Sequence, residues 1–257
     1  MAHVKRVPRT SRRERARATR VRILTAAQSL FVEPGYAATT MEDIASVADV
    51  AVQTVYYTFK TKSLLLREAV ELAGAGRPDE PPVADRAWMR QAMTERSGDR
   101  ALAVAVEHGV DIYARAMPLW PALHAASVTD PDVENYFRSL AANRRAGMSH
   151  FVRRLDEIGY LRPDLTAQRG ADIVFALFSH ETYLALTGDA NWPIEEYKAW
   201  LWTTLRTQLS DASESTPDAV RGLSFEALAS QVFGRVSTTF LERSSVGQPM
   251  PVDKVDP

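Results

Sequence analysis

From Ile44 to Phe59 the chain reads IASVADVAVQTVYYTF, and Ile44, Ala45, Ala48, Val50, Val55 and Phe59 recur there at helical spacing. Two short helices that cross at a three-residue turn satisfy this spacing, with their apolar sides facing each other. The flanks continue the pattern. Upstream, Ile23, Leu24, Ala27, Leu30 and Phe31 mark a longer helix, Pro34-Gly35 stops it, and Thr39 and Thr40 precede the next. Downstream, Lys60 and Lys62 lead into Leu64, Leu65 and Leu66.

The second short helix leaves Val52, Gln53, Thr54, Tyr56, Tyr57 and Thr58 on its free face. These are hydrogen-bonding, aromatic or small residues, whereas a merely solvated helix carries Glu and Lys. Such a face suits the major groove of DNA, where a recognition helix presents its N-terminal half to base edges and phosphates. Thr39 and Thr40 have two readings, capping the helix that follows or reaching a phosphate. Gln53 is the best candidate for direct readout, because Gln pairs bidentately with adenine N6 and N7. Val52 offers a methyl surface to thymine, and Tyr57 reads as either a base contact or a packing residue.

From about Arg12 to Leu72 the chain resembles the DNA-binding domain of the TetR family of bacterial transcriptional regulators. The matching residues are the Ala-rich helix ending in Leu30-Phe31, then Gly35-Tyr36, Thr39-Thr40, Ile44-Ala45, Ala48, Val50, Thr54, Val55-Tyr56, Phe59 and Lys62. The resemblance implies that Tyr56 and Lys62 hold the DNA backbone while Val52, Gln53, Thr54, Tyr57 and Thr58 lie near bases. Two departures stand out: Asp49 replaces the usual turn glycine, and Ala51 replaces the usual capping serine. Asp tolerates a left-handed backbone, so the turn survives. The expectation is that the Asp49 carboxylate accepts a backbone N–H two residues on and replaces the lost cap.

Charge is balanced overall, at −1 over 257 residues, but it is unevenly placed. Before Ile23 stand Lys5, Arg6, Arg9, Arg12, Arg13, Arg15, Arg17, Arg20 and Arg22 against Glu14 alone. A basic arm beside a reading head favours phosphate contact, with Arg9, Arg12 and Arg13 nearest the first helix. A solubilising tail or an organellar transit peptide has the same composition. No cysteine is present, which rules out disulfides and thiolate metal sites. No apolar run reaches the ~18 residues needed to span a bilayer and no signal-peptide core is visible, so a cytoplasmic protein without membrane contact is expected.

The remainder also reads as helices, making the expected fold class all-α. After the loop Gly74–Pro82, apolar periodicity marks segments near Ala84–Glu95, Arg100–Met117, Leu119–Ala126 and Asp132–Ile158, the last capped by Asp130 with Pro131 at its first position. Two more follow, about Thr166–Leu186 and Pro193–Leu209. Arg144 interrupts the apolar stripe of the long helix, as a snorkelling side chain or as part of a pocket. The resemblance implies a small-molecule site among the middle helices; its candidates are Trp88, Met93, His108, Tyr113, Trp120, His124, Asn143 and Arg144, each of which also reads as core. It further implies a homodimer paired through the last two helices, with Ile173, Leu177, Leu184, Tyr197, Leu201 and Leu205 as interface candidates. Two heads about 34 to 36 Å apart then read a palindromic operator.

These readings divide the chain into a basic disordered arm (1–11), a head (12–74), a ligand-binding and dimerisation body (75–210), a linker with one extra helix (211–243) and a disordered tail (244–257). The extra helix rests on Leu223, Phe225, Leu228, Val232, Val236 and Phe240, packed on the body or presented to a partner. The expected function is a dimeric repressor of double-stranded DNA released by a small, largely apolar effector. The rival is a ligand-independent activator or architectural DNA binder. Catalysis is not expected: His180-Glu181 opens like a zinc-hydrolase motif, but Leu184 stands where a second His is needed, and no Walker loop, GxSxG elbow or cysteine nucleophile occurs. No cofactor or metal is implied.

Overall fold

The computed structural model describes residues 11–211 together with Phe225 and Ala227, and among them no strand occurs. Helix α1 (Arg12–Leu30) begins at a capping box in which the Ser11 hydroxyl accepts the Glu14 N–H while Glu14 accepts the Ser11 N–H. A kinked turn over Phe31–Gly35 ends it, with Gly35 at φ 105°. Then come α2 (Met41–Val47), α3 (Val52–Phe59) and α4 (Lys62–Ala75), the last closed by Gly76 in the left-handed region at φ 78°. Ile23, Phe31, Ile44, Val55, Phe59, Leu65 and Leu66 are sealed between these helices.

The body consists of α5 (Ala87–Thr94), α6 (Gly98–Ala116), α7 (Trp120–Thr129), α8 (Pro131–Glu157), α9 (Ala167–Leu177), the single turn α10 (His180–Tyr183) and α11 (Ile194–Leu209). Asp130 caps α8 by accepting from the N–H groups of Asp132 and Val133. The core here is built from Leu102, Val106, Val110, Leu155, Tyr197, Leu201 and Leu205. It is kept close-packed at Gly98, where an added Cβ would lie 2.1 Å from the Tyr160 ring. That contact places the Tyr160 hydroxyl 2.6 Å from the buried Asp99 carboxylate, which also accepts from Arg206 Nε at 3.1 Å.

The two cores are not divided at the loop after α4. Leu119, Ala122, Leu123 and Ala126 of the α7 region and Val133 of α8 close the core of the head. Tyr36 ties the same parts together by donating to Asp130 at 3.1 Å.

Three expectations need correction. The helix expected over Thr166–Leu186 breaks at Phe178 (ψ 65°), and Ser179 recaps α10 by accepting the Thr182 N–H. The break is imposed from outside the segment. Arg144 donates to the carbonyls of Phe175 and Phe178, and the Tyr113 hydroxyl donates to the latter, so these groups are satisfied without a continuing helix. Secondly, Tyr197, Leu201 and Leu205 are fully buried in their own chain and so cannot form a dimer face, whereas Ile173, Leu177 and Leu184 remain partly open. Thirdly, the Asp49 carboxylate makes no hydrogen bond, as the geometry of the turn below explains. Of the extra helix, Phe225 is helical and buried against Trp202, with ring centroids 6.1 Å apart. The other residues assigned to that helix, the tail, and the arm through Arg9 lie outside the described residues.

Candidate nucleic-acid interface and effector site

α2 and α3 cross through a Schellman turn. The N–H of Asp49 bonds the Ser46 carbonyl at 3.2 Å and that of Val50 bonds the Ala45 carbonyl at 3.0 Å, with Asp49 at φ 51°. Asp49 thus occupies the left-handed closing position through its backbone. Ala51 supplies no cap, so α3 starts without a side-chain acceptor for its first N–H groups.

Val55 and Phe59 anchor α3 with no exposed surface, which fixes what faces outward. Gln53 and Tyr57, four residues apart, share one outward stripe, and Tyr57 is 89% exposed. Tyr56 and Lys60 form the neighbouring exposed stripe, while Val52, Thr54 and Thr58 are half-buried at its edges. Tyr56 reaches back to Glu42 of α2 at 3.5 Å, and the Thr58 hydroxyl donates to the Thr54 carbonyl at 2.7 Å.

Three sequence candidates have structural work instead. Thr39 is buried, its hydroxyl shared between the carbonyls of Leu30 and Gly35, both at 2.8 Å, which locks the end of α1 to the start of α2. Thr40 is the exposed cap of α2, paired reciprocally with Asp43; these bonds hold the Asp43 carboxyl below its ordinary range. Lys62 turns inward, donating to the carbonyls of Tyr36 (2.9 Å) and Thr39 (3.0 Å) with its ammonium 4.3 Å from the Tyr36 ring centroid. Thr39 therefore leaves the set of DNA-contacting candidates, and Lys62 serves first as the brace of the α1–α2 connection. Of the basic residues, Arg12 and Arg13 are exposed on the first turn of α1, while Arg17 pairs with Asp79 and Arg20 with Glu68.

In the body, the proposed pocket residues separate. Asn143 and His124 are exposed, and Trp88 stacks on His108 at 5.1 Å beside α5. The Met93 carbonyl accepts from Arg154 Nε. Elsewhere, Tyr113, Trp120 and Arg144 meet around His180, a residue not among the pocket candidates. The His180 ring lies 3.9 Å from that of Trp120 and 4.6 Å from that of Tyr113. Burial, and secondarily the Arg144 charge, pushes its pKa down to about 4, so it is neutral at pH 7. Burial pushes the Tyr113 hydroxyl up to about 12 despite the nearby Arg144. His180 escaped sequence reading because its neighbours come from three other helices.

Residues 23–69 match the model described as bacterial regulatory proteins, tetR family. That match lies within the head, from α1 to α4. Among solved structures, the fold is similar to a protein from Rhodococcus sp. described as a TetR-family transcriptional regulator (18% identity, 76% of this chain and 100% of that chain, TM-score 0.55). It is also similar to a transcriptional regulator from Saccharomonospora viridis in complex with choline (21%, 75% and 97%, 0.57) and to the fatty acid degradation regulator FadR from Bacillus halodurans (15%, 77% and 96%, 0.57). The all-helical body behind the head thus shares the fold of these structures. No curated protein matches the chain in sequence. Among the described residues no helix is long and apolar enough to cross a membrane, and no group of His, Asp and Glu is placed to hold a metal.

Proposed function

We propose that this protein is a cytoplasmic, sequence-specific DNA-binding regulator of transcription, acting as a homodimeric repressor on a palindromic operator and released by a small, largely apolar molecule. The observation that carries this reading is the outward stripe Gln53–Tyr57 on a helix clamped from behind by Val55 and Phe59. Hydrogen-bonding groups held rigidly toward solvent by a packed core are what base readout needs. The exposed Arg12, Arg13 and Lys60 supply charge for phosphate contact. Partly open Ile173, Leu177 and Leu184 on the outer elements of the body support pairing of two copies. Ligand release follows if a molecule entering the body changes the setting of α7, which belongs to both cores.

Selection of bound DNA from a random pool tests the reading. A two-fold symmetric consensus is expected, and recovery of no preferred sequence would sink it. A second reading, a ligand-independent DNA binder, is favoured by the close stacking of Trp120, His180 and Tyr113, which fills the middle of the body with side chains. Under that reading, no compound both raises the melting temperature and weakens operator binding.

A further inference from the structure

Arg144 differs from the other shielded cations of the body. Lys198 sits among three carboxylates, Glu107 at 2.8 Å, Asp111 at 3.0 Å and Glu195 at 3.1 Å, and Arg206 is paired with Asp99. Arg145 pairs with Asp172 at 2.8 Å. Arg144, on the same turn of α8, has no carboxylate partner; its Nη1 donates to two main-chain carbonyls and its plane lies over the Phe175 ring at 3.9 Å. Its Nε is shut off from water and bonded to nothing. The nearby acid, Glu181, is exposed and makes no ion pair with it.

A second, independent observation lies on α11. Tyr197 is fully buried, yet its hydroxyl has no hydrogen-bond partner. Its ring stands 5.3 Å from that of Tyr183, which in turn stands 6.0 Å from Tyr113, and the Tyr113 hydroxyl shares the Phe178 carbonyl with Arg144. One unbonded donor on Arg144 and one on Tyr197 therefore stand at the two ends of a run of contacts, through Tyr113 and Tyr183, that passes the non-helical joint between α9 and α10. A half-buried guanidinium whose Nε is dry and unbonded, and a buried phenol without an acceptor, both leave polar atoms desolvated without compensation. One group relieves both: an oxygen anion, which accepts from guanidinium and phenol more strongly than a peptide carbonyl does.

We infer that the effector carries a carboxylate, or an equally compact oxygen anion, on an apolar or aromatic body, and that Arg144 with Tyr113 and Tyr197 binds the anionic end. This rests on the regulator reading only for the word effector; the binding site itself does not. On binding, Arg144 and Tyr113 release the Phe178 carbonyl, and the α9–α10 joint moves beside Trp120 at the start of α7.

The full-length protein is tested by thermal shift and calorimetry with benzoate, naphthalene-2-carboxylate and octanoate, with the corresponding amides, and with choline. Carboxylates are expected to raise the melting temperature in proportion to concentration, and the amides and choline to leave it unchanged. Arg144→Gln should abolish the shift, Arg144→Lys should weaken binding at least tenfold because it keeps the charge but loses the fork, and Tyr197→Phe should weaken it several-fold with a normal melting temperature. Absence of a shift with every carboxylate, an equal shift with an amide or choline, or unchanged affinity in folded Arg144→Lys would each overturn the inference. Affinity for the selected operator is measured in parallel: carboxylate binding that leaves it unaltered keeps the anion site and removes its role as effector site.

Discussion

The head turns its hydrogen-bonding groups outward and the body turns them inward. Gln53, Tyr56 and Tyr57 are exposed on α3, backed by residues with no exposed surface. In the body, Asp99, Lys198, Tyr113 and Tyr197 are buried, and of their polar atoms all but Asp99 Oδ2 and the Tyr197 hydroxyl find a partner within the chain. The head is thus a rigid support for a surface, while the body is a polar network held in an apolar medium, where each unpaired group costs more. Substitutions should accordingly separate: in the head they change recognition at little cost in stability, and in the body they change stability first.

The sharpest test of that difference is Lys198→Met, which leaves three carboxylates facing one another without their cation. A loss of about 3–5 kcal/mol is expected in chemical denaturation, the range for breaking a buried ion pair by removing one partner. Acid comes next. Because the folded pKa of His180 is about 4 against an ordinary 6.5, the unfolded chain binds the extra proton between these values. Stability contributed by the neutral ring is complete above pH 6.5 and is lost as pH falls toward 4, by about 3 kcal/mol. His180→Phe, which keeps the stacking, should flatten that part of a stability-against-pH curve measured by urea melts, and an unchanged slope would refute the assignment.

Gln53→Ala makes the complementary case for the head. Discrimination at one operator position should fall by about 1–3 kcal/mol in competition binding. The melting temperature should stay within the scatter of a surface substitution, and a large drop would show that the two regions are not so different. The smallest expected effect is Asp49→Gly. The structure gives Asp49 a left-handed backbone and no side-chain bond, so glycine should stabilise the head by about 0.5–1 kcal/mol.

The same division decides how much was legible in the sequence. In the head, the signals are local: Thr40 lies three residues before Asp43, Pro34-Gly35 stops α1, and the apolar spacing of Ile44 to Phe59 sets the crossing. Even there, spacing alone does not show that the side chains of Thr39 and Lys62 turn to main-chain carbonyls. Their partners, Leu30, Gly35 and Tyr36, are fixed by the fold of the loop and not by spacing. In the body, periodicity located α6, α8 and α11 but could not say which of two apolar faces of α11 is internal. It also missed the break at Phe178, because the groups that stabilise it, Arg144 and Tyr113, stand 34 and 65 residues earlier in the chain. The meeting of His180 with Trp120 and Tyr113 was hidden for the same reason.

Leu119, Leu123 and Val133 complete the hydrophobic interior of the head, and Tyr36 fastens its loop to Asp130. The natural unit of exchange in this architecture is therefore longer than the reading domain's own four helices. A chimera cut in the loop after Gly76 would bare one side of the head's core and require the new body to fill it, whereas a graft carrying residues through the first turn of α8 would bring its own lid.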